Sequence, residues 1–232
     1  MILYNQLIHQ ITNLLPPCEK IFAYQNTNLK QGKKNAILLL KDTAYELGGS
    51  QKPCISTMAV SSSIQFDNSI YLYGKDIPEI TEDTAFCKIV FLEIEDIDEE
   101  TAFDKIKELE LIRYNHCPDG FMTRASALNM REQIRISKKA VKKGITFADY
   151  GNFLLQEYFK NSIVKSARIV FMTQFDKFDE LLLLADKIKS TTSALNHILD
   201  NVIFDCSTCN LKEICDEVDG MKELHMKKTK SK

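Results

Sequence analysis

A chain of 232 residues with a formal net charge of −2 is long enough to bury a core, and it has no global attraction to nucleic acid or to anionic membranes. No apolar run is long enough to cross a bilayer, so neither a membrane nor nucleic acid is expected as a partner. Seven cysteines without an export signal in MILYNQLIHQITNLL point to a reducing, cytoplasmic compartment.

Residues 2–15 place Ile2, Leu3, Leu7, Ile8, Ile11, Leu14 and Leu15 near a 3.6-residue period, which predicts a helix stopped by Pro16-Pro17. Short apolar runs between polar turns then predict strands at IFAY (21–24), AILLL (36–40), CISTMAV (54–60), SIYLY (69–73) and CKIVFLEI (87–94). Residues 101–114 read as an amphipathic helix with Thr101 as its cap. HCPDG (116–120) breaks it. A long helix is expected from about Thr123 to Lys143, ending at Gly144, and another through GNFLLQEYFK, started by Thr146 or Asp149. SARIVFM (166–172) reads as one more strand, and Asp176 opens a helix running to about Leu199. The tail KKTKSK reads as disordered.

The fold class expected is α+β, with a mixed or antiparallel sheet in the N-terminal half and a helix-rich C-terminal half containing at least one further strand. The expected division is 1–115, a strand-rich α+β part; 116–203, a helix-rich α/β part; and 204–232, a cysteine-cluster segment with a basic tail.

The chain has five arginines against twenty-five lysines, and four of the five are Arg113, Arg124, Arg131 and Arg135. On the expected 123–143 helix, Arg124, Arg131 and Arg135 share a strip with Lys138 and Lys142, while Ala127, Met130, Ile134 and Val141 face elsewhere. The guanidinium fork suits phosphate or carboxylate, so the strip is a candidate anion site for a phosphorylated cofactor or an acidic surface. The plainer alternative is the solvated face of an amphipathic helix.

Near the C-terminus, DCSTCNLKEIC sets Cys206, Cys209 and Cys215 in a C-x2-C-x5-C arrangement. Two thiolates on one side of a tight turn can grip one metal or one edge of a cluster, and a turn of helix can return the third. Polar neighbours argue against three buried apolar thiols, a role that suits Cys87 and Cys54. Three thiolates leave a fourth position open: His225, Asp219 or another cysteine (Cys18, Cys54, Cys87 or Cys117) could fill it. An iron–sulfur centre and zinc both remain open on spacing alone.

Several stretches together resemble the acetyl-CoA synthase component, the beta subunit, of the CO dehydrogenase/acetyl-CoA synthase complex. They are AYELGG (44–49), IRISKKAVKKG (134–144), FADYGNFLLQEY (147–158), ARIVFMT (167–173) and FDCSTC (204–209), in the family's order over about residues 36–215. The resemblance implies that Cys206, Cys209 and Cys215 match the opening ligands of an iron–sulfur cubane, [4Fe-4S] in type. It implies that coenzyme A is the ligand to expect on Arg124, Arg131 and Arg135. Partners would be other components of the complex or a corrinoid protein, with self-association a further option.

Cys215 comes earlier than the family's third cysteine, and the later Cys-Gly-Cys that holds nickel is absent from these residues. The expectation is therefore an accessory or divergent member in anaerobic CO and one-carbon metabolism, not complete in acyl transfer on its own. The alternative is a non-catalytic interaction module with structural zinc in the cysteine cluster. His116 beside Cys117 reads as a loop pair whose side chains point apart, and EIEDIDEE (93–100) as a solvated connection.

Overall fold

The computed structural model describes residues 2–33, 37–49, 51–125, 132–199, 209, 211–218, 220–221 and 223–224. Arg131, Cys206, Asp219, His225 and the KKTKSK tail lie outside them.

Two sheets organise the chain, and together with the helices they make a mixed α+β fold with helices concentrated in the C-terminal half. The larger sheet has five strands: β1 (Lys20–Ala23), β3 (Cys54–Ser61), β4 (Ser69–Tyr73), β5 (Phe86–Ile94) and β8 (Val164–Met172). Their order is β1-β4-β8-β5-β3. β4 is parallel to β8 and β3 is parallel to β5, whereas β1–β4 and β5–β8 are antiparallel. The central strands are covered on both faces, so they read as nearly continuous apolar runs. Every residue of β5 from Phe86 to Leu92 is buried, Lys88 included.

The smaller sheet is antiparallel, β2 (Thr43–Leu47), β7 (Glu132–Ser137) and β6 (Phe121–Ala125), with β7 in the middle. Six α-helices complete the described chain: α1 (Asn5–Leu14), α2 (Ala102–Asn115), α3 (Lys138–Lys142), α4 (Phe147–Tyr158), α5 (Phe178–Leu199) and α6 (Lys212–Glu217). Among the described residues no helix is long and apolar enough to cross a membrane.

Local chemistry accounts for the boundaries. Thr146 caps α4 by accepting from Asp149 N–H, while the Asp149 carboxylate accepts from Thr146 N–H, a reciprocal capping box. Gly151 lets α4 lie directly on the large sheet, since a Cβ there would come within 2.4 Å of Ile70 Cγ1. Phe86, Phe147, Tyr150 and Phe171 form the aromatic layer between that helix and the sheet. Gly48 turns the chain at φ +73° after β2, where an added Cβ would sit 2.5 Å from Cys54 Sγ.

Two expectations need correction. The long helix from Thr123 to Lys143 is not formed. The chain instead makes strands β6 and β7, paired antiparallel, and only after β7 turns into the five-residue α3 ahead of Gly144. Long-range pairing decides this, because β7 is also the partner of β2, with Tyr45 opposite Ile136 and Leu47 opposite Ile134. The AILLL run is likewise not a strand over its described residues: Ile37 and Leu40 are 79% and 73% exposed, and Leu40–Asp42 is a 3-10 turn. Thr101 stands at the start of α2, but its hydroxyl donates back to Asp98 O (3.3 Å) and makes no cap hydrogen bond.

Candidate functional site

The sheet geometry redistributes the candidate arginines. On β7, Gln133 and Arg135 project to one face, while Glu132, Ile134 and Ile136 project to the other. Arg124 stands opposite Gln133 on β6, and its Nε donates to Gln133 Oε1 at 3.1 Å. Arg124 and Arg135 converge on Glu46 of β2. Arg135 Nε donates to Glu46 Oε1, Arg135 Nη1 donates to Leu38 O at 3.0 Å, and Arg124 Nη2 lies 3.4 Å from Glu46 Oε2. Two of the three candidate arginines are thus brought together on a carboxylate of the chain itself. They sit across a β-ladder and not along a helical strip.

Of the cysteine cluster, Cys209 and Cys215 are described, and both are half-buried. Cys209 O accepts from Lys212 N–H at 3.2 Å, and Cys215 lies on α6, which packs against α5. Among the described residues no three His, Cys, Asp or Glu side chains converge on a metal position. The other cysteines are engaged elsewhere. Cys87 is sealed in β5, where burial pushes its thiol well up. Cys54 Sγ donates to Glu132 O at 2.6 Å. Cys117 Sγ lies 2.9 Å from Thr123 Oγ1, while His116 turns toward Ile112 O and Glu157, so the adjacent pair does point apart.

The least expected grouping is a buried ionic cluster where the two sheets meet. Lys88 of β5, fully buried, donates to Glu132 Oε1 of β7 at 2.7 Å, to Arg113 O at 3.2 Å and to Tyr150 Oη at 3.4 Å. Arg113, 3% exposed on α2, donates from Nη1 to Ser56 Oγ (3.0 Å) and from Nη2 to Tyr114 Oη (2.9 Å). Burial pushes the Glu132 carboxyl up, but Lys88 and Arg113 outweigh it and hold the group below the usual carboxylate range. Arg113 and Glu132 of the cluster line a cleft of about 270 Å³ between β3, α2 and α5.

Sequence reasoning passed over these residues although two carried a signal. Arg113 follows Ile106 and Leu109 on the inward stripe of α2, and Lys88 interrupts an otherwise apolar strand. Glu132 carries none, because the local sequence around its strand favours helix.

The matched family accounts for this core. A model of the CO dehydrogenase/acetyl-CoA synthase complex beta subunit matches residues 37–178, more than half of the chain. The chain belongs to that family. The family region contains both described arginines of the Glu46 cluster, the whole Lys88–Glu132–Arg113 cluster, and four of the five stretches that carry the resemblance. The fifth, FDCSTC, lies beyond residue 178. No individual curated protein matches the chain.

Proposed function

We propose that this beta-subunit relative is an accessory or divergent metal-binding member of CO and one-carbon metabolism, with an iron–sulfur centre held by Cys206, Cys209 and Cys215. Family membership across residues 37–178 is the observation that carries this reading. Other components of such a complex, or a corrinoid protein, are the partners it calls for.

The donor chemistry of the described residues fits an iron–sulfur centre. Cys209 and Cys215 are half-buried thiols six positions apart, on either side of the turn that starts α6. Cys206 and His225 would complete the set. A bound cluster would supply electron transfer or a metal anchor. The chain's own part is to fix the thiols: Ile214, Leu211 and Val218 seat α6 against the core, which limits how far Cys215 can move.

At the Glu46 cluster, Arg124 and Arg135 are the proposed contacts for coenzyme A together with Arg131. Arg124 is the more available, with its side chain 41% exposed against 13% for Arg135.

Iron, sulfide and zinc analysis of protein prepared without oxygen tests the metal reading. Wild type should be brown, with absorbance near ~400 nm of the kind thiolate-held clusters give, and Cys209→Ser should lose most of its iron. A colourless wild-type protein with stoichiometric zinc would replace the iron–sulfur reading by a structural zinc module. Metal-free protein of both kinds would remove the metal altogether.

A further inference from the structure

We propose that the cleft over Arg113 and Glu132 is a binding site for a small 2-hydroxy carboxylate. The inference is independent of any metal at the cysteine segment. It starts from charge. Arg113 and Glu132 line the cleft and Lys88 stands behind Glu132, so the cluster carries two cations against one carboxylate, and all three are buried. Lys88 and Glu132 satisfy each other. Arg113 has only hydroxyl and ring partners among the described side chains: Ser56, Tyr114, and the Tyr114 ring 4.6 Å from its Cζ. Burial opposes the Arg113 charge and the attraction of Glu132 outweighs it, yet among the described residues no carboxylate touches the guanidinium, and an anion in contact would complete the site.

Two orphaned atoms give the ligand its shape. Arg113 Nε–H and Glu132 Oε2 are both buried with no hydrogen-bond partner among the described residues. Ser56 Oγ accepts from Arg113 and its hydroxyl lies close enough to favour the ionised Glu132, but among the described residues no donor makes a well-formed hydrogen bond to Glu132 Oε2. Both residues line the cleft. A carboxylate on Arg113 would use Nε–H with a free hydrogen of a terminal nitrogen, the fork that matches two oxygens. A hydroxyl on the neighbouring carbon would donate to Glu132 Oε2.

The surplus of one positive charge suits a monoanion. A phosphate dianion would meet the ionised Glu132, and an ammonium group would add a charge beside Lys88 and Arg113. At the mouth the charges cancel: Lys107 pairs with Glu110 at 2.7 Å, and Asp186 accompanies Lys189 on α5. A water molecule could satisfy both orphaned atoms but would leave the surplus charge in place.

The chain has five arginines, so the Nε–H correlations of ¹⁵N-labelled full-length protein are few enough to assign. Titration with glycolate should shift the Arg113 correlation saturably and leave that of Arg168, which is held by Asp67, in place. Acetate lacks the hydroxyl and should bind roughly tenfold more weakly, the usual size of one lost hydrogen bond. Inorganic phosphate should not saturate. Ala185→Phe fills the α5 wall of the cleft and should abolish the glycolate shift with the Arg168 correlation unmoved. No shift with glycolate, an equal response to glycolate, acetate and phosphate, or undiminished binding to Ala185→Phe would each overturn the site. The first of these would leave a hydration site only. The wild-type comparison of glycolate with acetate stands even if the variant fails to fold.

Discussion

The two sheets of this protein handle charge in opposite ways. The five-stranded sheet seals Lys88 in its interior and neutralises it with one carboxylate, Glu132, lent by the other sheet. The three-stranded sheet sets Arg124 and Arg135 on one buried carboxylate, Glu46, and leaves Arg124 open enough that solvent can stand in for it. Identical chemistry therefore has different consequences. A buried pair with no substitute partner fails as a unit, whereas a redundant half-exposed cluster degrades gradually.

The contrast is sharpest for Glu132→Gln. Loss of the carboxylate strands Lys88 in an apolar interior and should cost about 3–5 kcal/mol in chemical denaturation. The double variant Lys88→Met/Glu132→Gln should recover part of that loss, because Lys88 is no longer left buried alone, while Arg113 still loses the attraction of Glu132. A cost for Glu132→Gln no larger than that of a surface substitution would abolish the distinction between the sheets. The same pair sets an acid limb. Folded Glu132 holds its pKa below the usual value, so near and below pH ~4.3 the unfolded chain binds the proton more readily than the folded one. Its contribution is complete above that pH and is lost as pH falls through the folded value. Glu132→Gln should flatten that limb in urea titrations run at several pH values.

Next in size is Gly151→Ala. Overpacking against Ile70 should cost about 1–3 kcal/mol, offset by up to ~1 kcal/mol of better helix propensity, read as a lower denaturation midpoint. Glu46→Gln should cost about 1–2 kcal/mol, since the carboxylate is buried but Arg124 stays solvated and Arg135 keeps Leu38 O. It should also strengthen coenzyme A binding, because it frees Arg124 and Arg135. Unchanged affinity would take those arginines out of the ligand site. The smallest effect belongs to Lys212→Gln, which loses the exposed i,i+4 pair with Asp216 and should change stability by no more than ~0.5 kcal/mol.

Most elements were legible where one residue's environment is set by its sequence neighbours. Strands β3, β4, β5 and β8 announce themselves as bounded apolar runs, and α1, α4 and α5 by their period or caps. The β6–β7 hairpin was not legible. Residues 123–143 contain no Gly or Pro, and Ala125, Ala127, Leu128 and Met130 favour helix locally. The fate of β7 is set by β2, more than eighty residues earlier in sequence, and nothing local encodes that partner. The cleft was hidden for the same reason, since its two orphaned groups come from α2 and from β7. The cysteine spacing was plain to read, but only Cys209 and Cys215 of the set lie among the described residues.

The place of β8 has a consequence for how the chain acquires its shape. It is the last of the described strands in sequence, yet it lies between β4 and β5, some 100 and 80 residues upstream. Until residues 164–172 leave the ribosome, β4 and β5 each present an unmated edge, the kind of surface that invites pairing with another chain. Nascent chains halted before Val164 should accordingly bind holdase chaperones and aggregate when released, and chains halted well beyond Met172 should resist proteolysis.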